Sequence, residues 1–197
     1  MARFTKIPTD TFKQLGINAG VLLSDFTPAT AAIEDEKIIG ATSGGVNFTA
    51  APSFVDFGED IDNCPKNMKE LKKADSWEVK LSGTFITITL ALGKRLAAMA
   101  DNATSTNKIT PRVDLDQADF NDIWFVGDYS DKTGATKGGF IAIHILNALS
   151  TGGFALQSAD KGKMKFAFEF TGHFSMDAQD TVPFEVYIKA GEAESTG

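Results

Sequence analysis

The sequence predicts a mainly β fold, a sandwich or barrel-like sheet with one flanking α-helix, extended loops and terminal arms. Three observations carry that expectation. Residues 77–85 and 163–176 alternate apolar and polar side chains with a period of two, the mark of a strand with one buried and one wet face. Residues 122–130 and 138–146 are apolar on both faces, as interior strands of a packed sandwich are. Only residues 90–100 carry an extended helical spacing.

Taken in order, residues 1–30 read as an N-terminal arm and a first strand. They hold the apolar run 17–23 and end at Phe26-Thr27-Pro28, where proline disfavours helix in the residue before it. Glu34-Asp35-Glu36 marks an exposed turn, Ile38-Ile39 opens a second strand, and Ser43-Gly44-Gly45 is a turn signal before the strand pattern of 45–50. From Phe57 the composition changes: residues 57–62 are acidic and 65–73 (PKNMKELKK) are basic. Proline near a helix start, acids before it and lysines at its end suit the helix dipole. A short exposed helix is therefore expected within an exposed interaction loop, residues 56–75.

In 77–85 the apolar positions are Trp77, Val79, Leu81 and Phe85, and the polar ones Glu78, Lys80, Ser82 and Thr84. In 163–176 Met164, Phe166, Phe168, Phe170, Phe174 and Met176 share one face, interrupted by Gly172. Lys163, Lys165, Ala167, Glu169, Thr171, His173 and Ser175 share the other. As one strand this segment would span roughly 46 Å, against a usual ~17–20 Å. A compact domain has little need of such a strand; a wall does.

The helix of 90–100 places Leu92, Leu96 and Met99 on one face and points Lys94 and Arg95 outward, with Gly93 a local weakness of ~1 kcal/mol relative to alanine. Residues 131–134 form the turn between the two interior strands, 182–190 form the last strand, and 190–197 are expected as a mobile tail. The 197 residues read as one domain.

Sixteen phenylalanines, against two tryptophans and two tyrosines, supply the core. A net charge of −7 repels a phosphate backbone, which argues against a sequence-reading DNA binder but not against a surface that DNA slides past. The single Cys64 excludes an intramolecular disulfide and a multi-cysteine metal site. The start of the chain lacks the apolar core of a signal peptide, and no apolar run approaches the ~20 residues of a membrane span. Cytoplasmic synthesis without membrane insertion is the expectation.

No catalytic, cofactor or metal site stands out. The only histidines are His144, read as a hydrogen-bonded core residue, and His173, read as facing solvent. The acidic groups Asp56, Glu59, Asp60, Asp62 and Asp114, Asp116, Asp119 do not follow the calcium-loop pattern. There is no GxSxG elbow, and the glycines and lysines of 127–139 lack the spacing of a phosphate-binding loop. Cys64 reads as a plain thiol. An enzyme is not expected. The acidic-then-basic loop has two readings: a solvated, well-capped helix, or a heterologous contact in which one copy's acids meet the next copy's lysines.

Four segments together, VNFTAAPSFVDFGEDIDNCPKNMKELKKADSWEVKLSGTF (46–85), DIWFVGDYSD (122–131), GGFIAIHILNALSTGGF (138–154) and FEFTGHFSMDAQDTVPFEVYI (168–188), resemble the major tail protein, or tail tube protein, of siphophages infecting Gram-positive bacteria. The likeness runs from about residue 9 to 189 and rests on the whole pattern. It implies a sandwich-like subunit of which six copies close a ring; the inner sheets join into one barrel and the rings stack into a tube. That family in turn resembles the tubes of contractile tails and of type VI secretion. The resemblance further implies a virion tail protein, assembled in the host cytoplasm around a tape measure protein, meeting tail completion and baseplate proteins and passing genomic DNA at ejection.

The residues agree in two respects. One chain has too few strands to enclose an aqueous bore, which takes ~16 or more, whereas pooled sheets supply them. The alternating strands also offer a polar face to line the bore, mixed in charge because of Lys80, Lys163 and Lys165. The expected lumen-facing residues are Glu78, Lys80, Ser82, Thr84, Lys163, Lys165, Glu169, Thr171, His173 and Ser175. The expected contacts between subunits or rings are Asp56, Glu59, Asp60, Asp62, Lys66, Lys69, Lys72 and Lys73, with the N-terminal arm. The alternative is a β-sandwich adhesin or carbohydrate-binding module, which would need exposed aromatic platforms from a chain poor in Trp and Tyr.

Overall fold

The computed structural model describes residues 7–131 and 138–192. After a single 3-10 turn (Thr11–Gln14) comes β1 (Gly16–Leu23), and a loop leads to the short β2 (Ile38–Gly40). A long hairpin follows, β3 (Thr42–Asp56) and β4 (Lys72–Phe85), then α1 (Leu90–Leu96) and a small hairpin of β5 (Ala100–Ala103) and β6 (Lys108–Pro111). The chain continues through β7 (Asn121–Tyr129), β8 (Gly139–Ser150), β9 (Ala155–Gln157), β10 (Lys165–Thr171) and β11 (Phe184–Lys189). The fold is mainly β with one α-helix, as the alternation predicts.

Among the described residues nine strands make one sheet, ordered β2-β1-β7-β8-β10-β4-β3, with β11 beside β8 and β9 beside β10. All the pairings are antiparallel. β8 belongs to both halves. Most of its length pairs β7 and β11, while Leu149 and Ser150 at its end pair Thr171 and Phe170 of β10. A shared strand lets the two halves lie face to face, each burying its apolar side against the other. Leu22, Ile123, Ile143 and Ile145 from one half meet Val79, Leu81, Phe85, Phe166, Phe168 and Phe170 from the other.

β7 and β8 are apolar on both faces because a second cluster covers their outer side. Leu23, Phe26, Trp124, Val126, Phe140 and Ala142 pack there, with Ala31 and Tyr187 at the margin.

Several elements differ from the sequence expectation. Ser43-Gly44-Gly45 is no turn: the register shifts between Thr42 and Val46, with Gly44 at φ +83° and Gly45 at +82°. That is a bulge inside β3, and glycine supplies the left-handed backbone it needs. Residues 163–176 are not one long strand, since only Lys165–Thr171 is extended and paired. Gly172 breaks the run. Its amide donates to the Val79 carbonyl (3.0 Å) and the next amide, of His173, donates to the Leu146 carbonyl (3.3 Å), so the chain leaves one half for the other. A Cβ at Gly172 would sit 3.0 Å from both Ile145 and the Pro183 carbonyl. The long strands are instead β3, of 15 residues, and β4, of 14.

No helix forms over 65–73. Residues 57–71 are turns, and Lys72 and Lys73 open β4 opposite Asp56 and Val55; the strand ladder satisfies more backbone groups than an isolated helical turn would. The α-helix is shorter than 90–100. Thr89 caps its start by accepting from the Leu92 amide (3.1 Å), and Ala98 at φ +60° follows its last turn. Arg95, expected outside, is half-buried with its Nη1 shielded from solvent, and that burial lowers the pKa of its guanidinium. A Cβ at Gly93 would come 2.6 Å from Ile109 Cδ1, the end of a side chain that would have to turn aside. The turn at 131–134 and the tail at 190–197 lie for the most part outside the described residues.

Candidate functional site

Two surfaces concentrate the polar and apolar features that the core does not use. The first is the far end of the β3–β4 hairpin. Val79 and Leu81 of β4 are fully buried, but towards the turn the ladder continues through Ser53, Phe54 and Val55 opposite Ser76, Ala74 and Lys73, all exposed. Phe54 and Phe57 keep 55% and 58% of their surface in water and Ile61 53%. The hairpin therefore reaches beyond its own core and carries apolar residues out with it.

The turn at its tip is ordered by Asp56. Its carboxylate accepts from the Gly58 amide (2.9 Å) and the Asn67 amide (2.8 Å), closing residues 57–66 into a loop. Asn63 and Asn67 take left-handed backbone (φ +58° and +62°), which asparagine tolerates. Among the expected contact residues Asp56 is thus a structural staple. Glu59, Asp60, Asp62, Lys66 and Lys69 are exposed on the loop. Lys72 and Lys73 stand on β4, with Nζ 5.2 Å over the Phe54 ring and 5.7 Å over the Phe57 ring.

The Asn67 amide, then the Gly58 amide, hold the Asp56 carboxyl below the usual carboxylate range. A folded value below the unfolded one means that this contribution is complete above the ordinary aspartate range and is lost as pH falls through the lowered value. Exchange of the Asn67 amide hydrogen should accordingly accelerate only in strong acid, and Asp56→Asn should bring that acceleration to neutral pH. An exchange rate unaffected by the substitution would show that Asp56 does not order the loop.

The second surface is the outward face of β3, β4 and β10. Cross-strand rows run Asn47–Ser82–Glu169 and Thr49–Lys80–Thr171, with Ala51 opposite Glu78 and Thr84 opposite Ala167. Thr151 adds hydrogen bonds to Glu169 (3.2 Å) and Thr171 (2.8 Å). Lys80 pairs with Glu78, a hydrogen bond that raises the lysine pKa. Two glutamates, Glu78 and Glu169, balance Lys80 and Lys165, so the acidic excess of the chain lies elsewhere.

The structure thus brings together Glu78, Lys80, Ser82, Thr84, Lys165, Glu169 and Thr171. It does not bring Lys163, His173 and Ser175 with them. Lys163 is exposed ahead of β10. His173 lies past Gly172, its Nδ1 3.2 Å from the Asn147 carbonyl and its ring edge-on to Phe120 at 5.2 Å. Ser175 sits in a turn bridged to Ala178.

His144 is hydrogen-bonded and packed as read, though on the outer side of β8: its side chain is 13% exposed, stacked on Trp124 at 3.9 Å, between Asp122 on Nε2 (3.0 Å) and Glu185 on Nδ1 (3.4 Å). The carboxylates occupy opposite ring nitrogens and tie three strands together; no group of three His, Cys, Asp or Glu among the described residues could hold a metal ion. Asp119 is likewise structural, buried with both carboxylate oxygens accepting from Arg112 Nη2 (2.6 and 2.7 Å). Both tryptophans are packed, Trp77 against Phe184 and Trp124 against His144, and neither offers a free aromatic platform.

Sequence reasoning found the lysines and acids of the hairpin but not Phe54, Phe57 and Ile61, because an apolar residue on an exposed arm looks like any core residue. No helix among the described residues is long and apolar enough to cross a membrane. No family model matches the chain, and no curated protein matches it.

Proposed function

We propose that this protein is a structural subunit of a virion tail tube, self-assembling into stacked, hexameric rings around a conduit for DNA ejection, with no catalytic step of its own. One observation carries the reading: the β3–β4 hairpin presents a charge-balanced polar face over its packed half and exposed apolar residues over its projecting half. The first half suits the wall of a water-filled bore. The second suits contact with another copy, because a monomer that leaves two phenylalanines and an isoleucine in water gains by covering them. The resemblance of residues 9–189 to siphophage tail proteins supports the same reading. On it, the partners are further copies of the chain, the tape measure protein filling the bore, and tail completion and baseplate proteins at the ends.

The packing of both tryptophans speaks against the adhesin or carbohydrate-binding alternative. Replacing Lys69, Lys72 and Lys73 by glutamate tests the contact. All three are exposed, and Lys72 and Lys73 give up only their contacts with the Phe54 and Phe57 rings, so monomer stability should fall by about 1–2 kcal/mol, while polymers visible by electron microscopy should disappear. Tubes of normal length from a folded triple variant would remove the lysines from the interface.

A further inference from the structure

The last strand, β11, pairs with β8 and with no other strand among the described residues. Beyond that ladder, one side-chain cluster ties it to the sheet. The register sets His144 of β8 opposite Glu185 of β11 on one side and opposite Trp124 of β7 on the other. Asp122 and Tyr187 stand two residues along from Trp124 and Glu185 and so share the same outward face. The Tyr187 hydroxyl donates to Glu185 Oε2 (2.6 Å), and the Asn147 amide donates to Asp122 Oδ1 (3.0 Å).

That leaves the imidazole between two acceptors. Asp122 Oδ2 lies 3.0 Å from Nε2 and Glu185 Oε2 lies 3.4 Å from Nδ1. An ionised carboxylate only accepts, and a neutral imidazole has a single N–H. Either neutral tautomer therefore turns a lone pair towards one carboxylate; only the imidazolium donates to both. Two further features favour the cation. The ring lies flat on the Trp124 indole, with planes 7° apart, and an indole face attracts positive charge. Among the described residues no other cation forms an ion pair with Asp122 or Glu185. Burial of the ring works against the charge, while both carboxylates and the indole work for it. The Tyr187 hydroxyl first, and the imidazole after it, hold the Glu185 carboxyl below the usual glutamate range although burial raises it.

We propose that His144, with both ring nitrogens protonated, is a latch that fastens β11 to the sheet, and that loss of one proton loosens this edge strand. A histidine that gains carboxylate partners on folding contributes stability that is complete on the acid side of its range and is lost as pH rises. Glu185 acts in the opposite sense, its contribution being lost only as pH falls through its lowered range. The strand is thus held most firmly in mild acid. Phe184 at its start packs against Phe48 and Trp77 of the other half, so opening β11 also uncovers the margin of the core. Such a latch needs no second copy and holds whether or not the chain builds tubes.

Hydrogen exchange of the backbone amides in the full chain reads the latch. After correction for the intrinsic rate at each pH, opening of β11 should be about tenfold more frequent near pH 8 than near pH 5.5, the span over which histidine changes charge. The amides of β4, in the other half, are the internal control and should change less than about twofold. His144→Gln should remove the dependence, since glutamine does not titrate. Glu185→Gln should cut it to less than about threefold, because the new amide donates to a neutral ring nitrogen. His173→Gln, at the second of the two histidines, should leave it intact. Should His144→Gln fail to fold by circular dichroism, the original protein, Glu185→Gln and His173→Gln decide. Equal protection of β11 at both pH values overturns the latch. So does a dependence that survives His144→Gln, is unchanged in Glu185→Gln or disappears in His173→Gln.

Discussion

Replacing Phe54, Phe57 and Ile61 together by serine should raise the concentration needed for polymerisation by about two orders of magnitude while lowering monomer stability by no more than about 3 kcal/mol. Each of these side chains has about half of its surface in water, so the monomer loses only the half it already buries. Covering the remaining half of each contributes about 1 kcal/mol, and three such terms amount to roughly a hundredfold in an association constant. A smaller term adds to this. Lys72 and Lys73 lose the rings beneath them, contacts worth about 0.5 kcal/mol each at an exposed site. Sedimentation across a concentration series gives the critical concentration, and thermal unfolding gives monomer stability. An unchanged critical concentration would place the projecting end of the hairpin outside any contact.

The largest effect on stability is expected at Phe170. It is fully buried, and its backbone faces Leu81 of β4 on one side and Ser150 of β8 on the other. The side chain thus fills the core where the two halves of the sandwich join. Phe170→Ala should destabilise by about 3–5 kcal/mol, the range for emptying a phenylalanine site in a packed core, a large part of the 5–15 kcal/mol that usually holds a domain together. Phe174→Ala is the control. It has the same parity in the sequence pattern, but it lies beyond Gly172 and is 43% exposed, so about 1 kcal/mol or less is expected. Urea unfolding of the two variants separates a strand ending at Thr171 from one running through to Met176. Equal losses would favour the longer strand.

That pair of phenylalanines also marks how far the sequence is readable. Period-two alternation locates β4 and the buried face of β10, and apolar residues on both faces locate β7 and β8 between two layers. Each is a local pattern created by burial. The end of β10 is different. Phe174 and Met176 keep the alternation, yet Gly172 turns the chain towards β8 because Val79 and Leu146 offer their carbonyls there, and those partners lie far away in sequence. The helical signals of residues 65–73 failed for the same reason. Proline, acids and lysines describe a helix end in isolation, whereas the Lys72 and Lys73 backbones are claimed by pairing with Asp56 and Val55.

The candidate site divides along the same line. Seven of the ten residues expected on the polar face share it, all of them on strands whose period is visible in the sequence. The three that do not, Lys163, His173 and Ser175, fall outside the paired part of β10. The carboxylates around His144 come from positions 22 and 41 residues away, and no spacing rule reaches them. Arg95 reads as an outward cation on a helix, and only the packing of α1 against its neighbours shows that burial.

The central claim is that the outward face of β3, β4 and β10 lines a shared channel while the hairpin tip joins copies along it. An electron cryomicroscopy reconstruction of the concentrated, purified protein tests it most directly. Hollow tubes built of stacked rings, with the Asn47–Ser82–Glu169 row turned to the lumen and the hairpin tip seated on an adjacent ring, are the predicted result. Isolated monomers at every concentration, or an assembly in which that row is packed against protein or faces the outer surface, would contradict it.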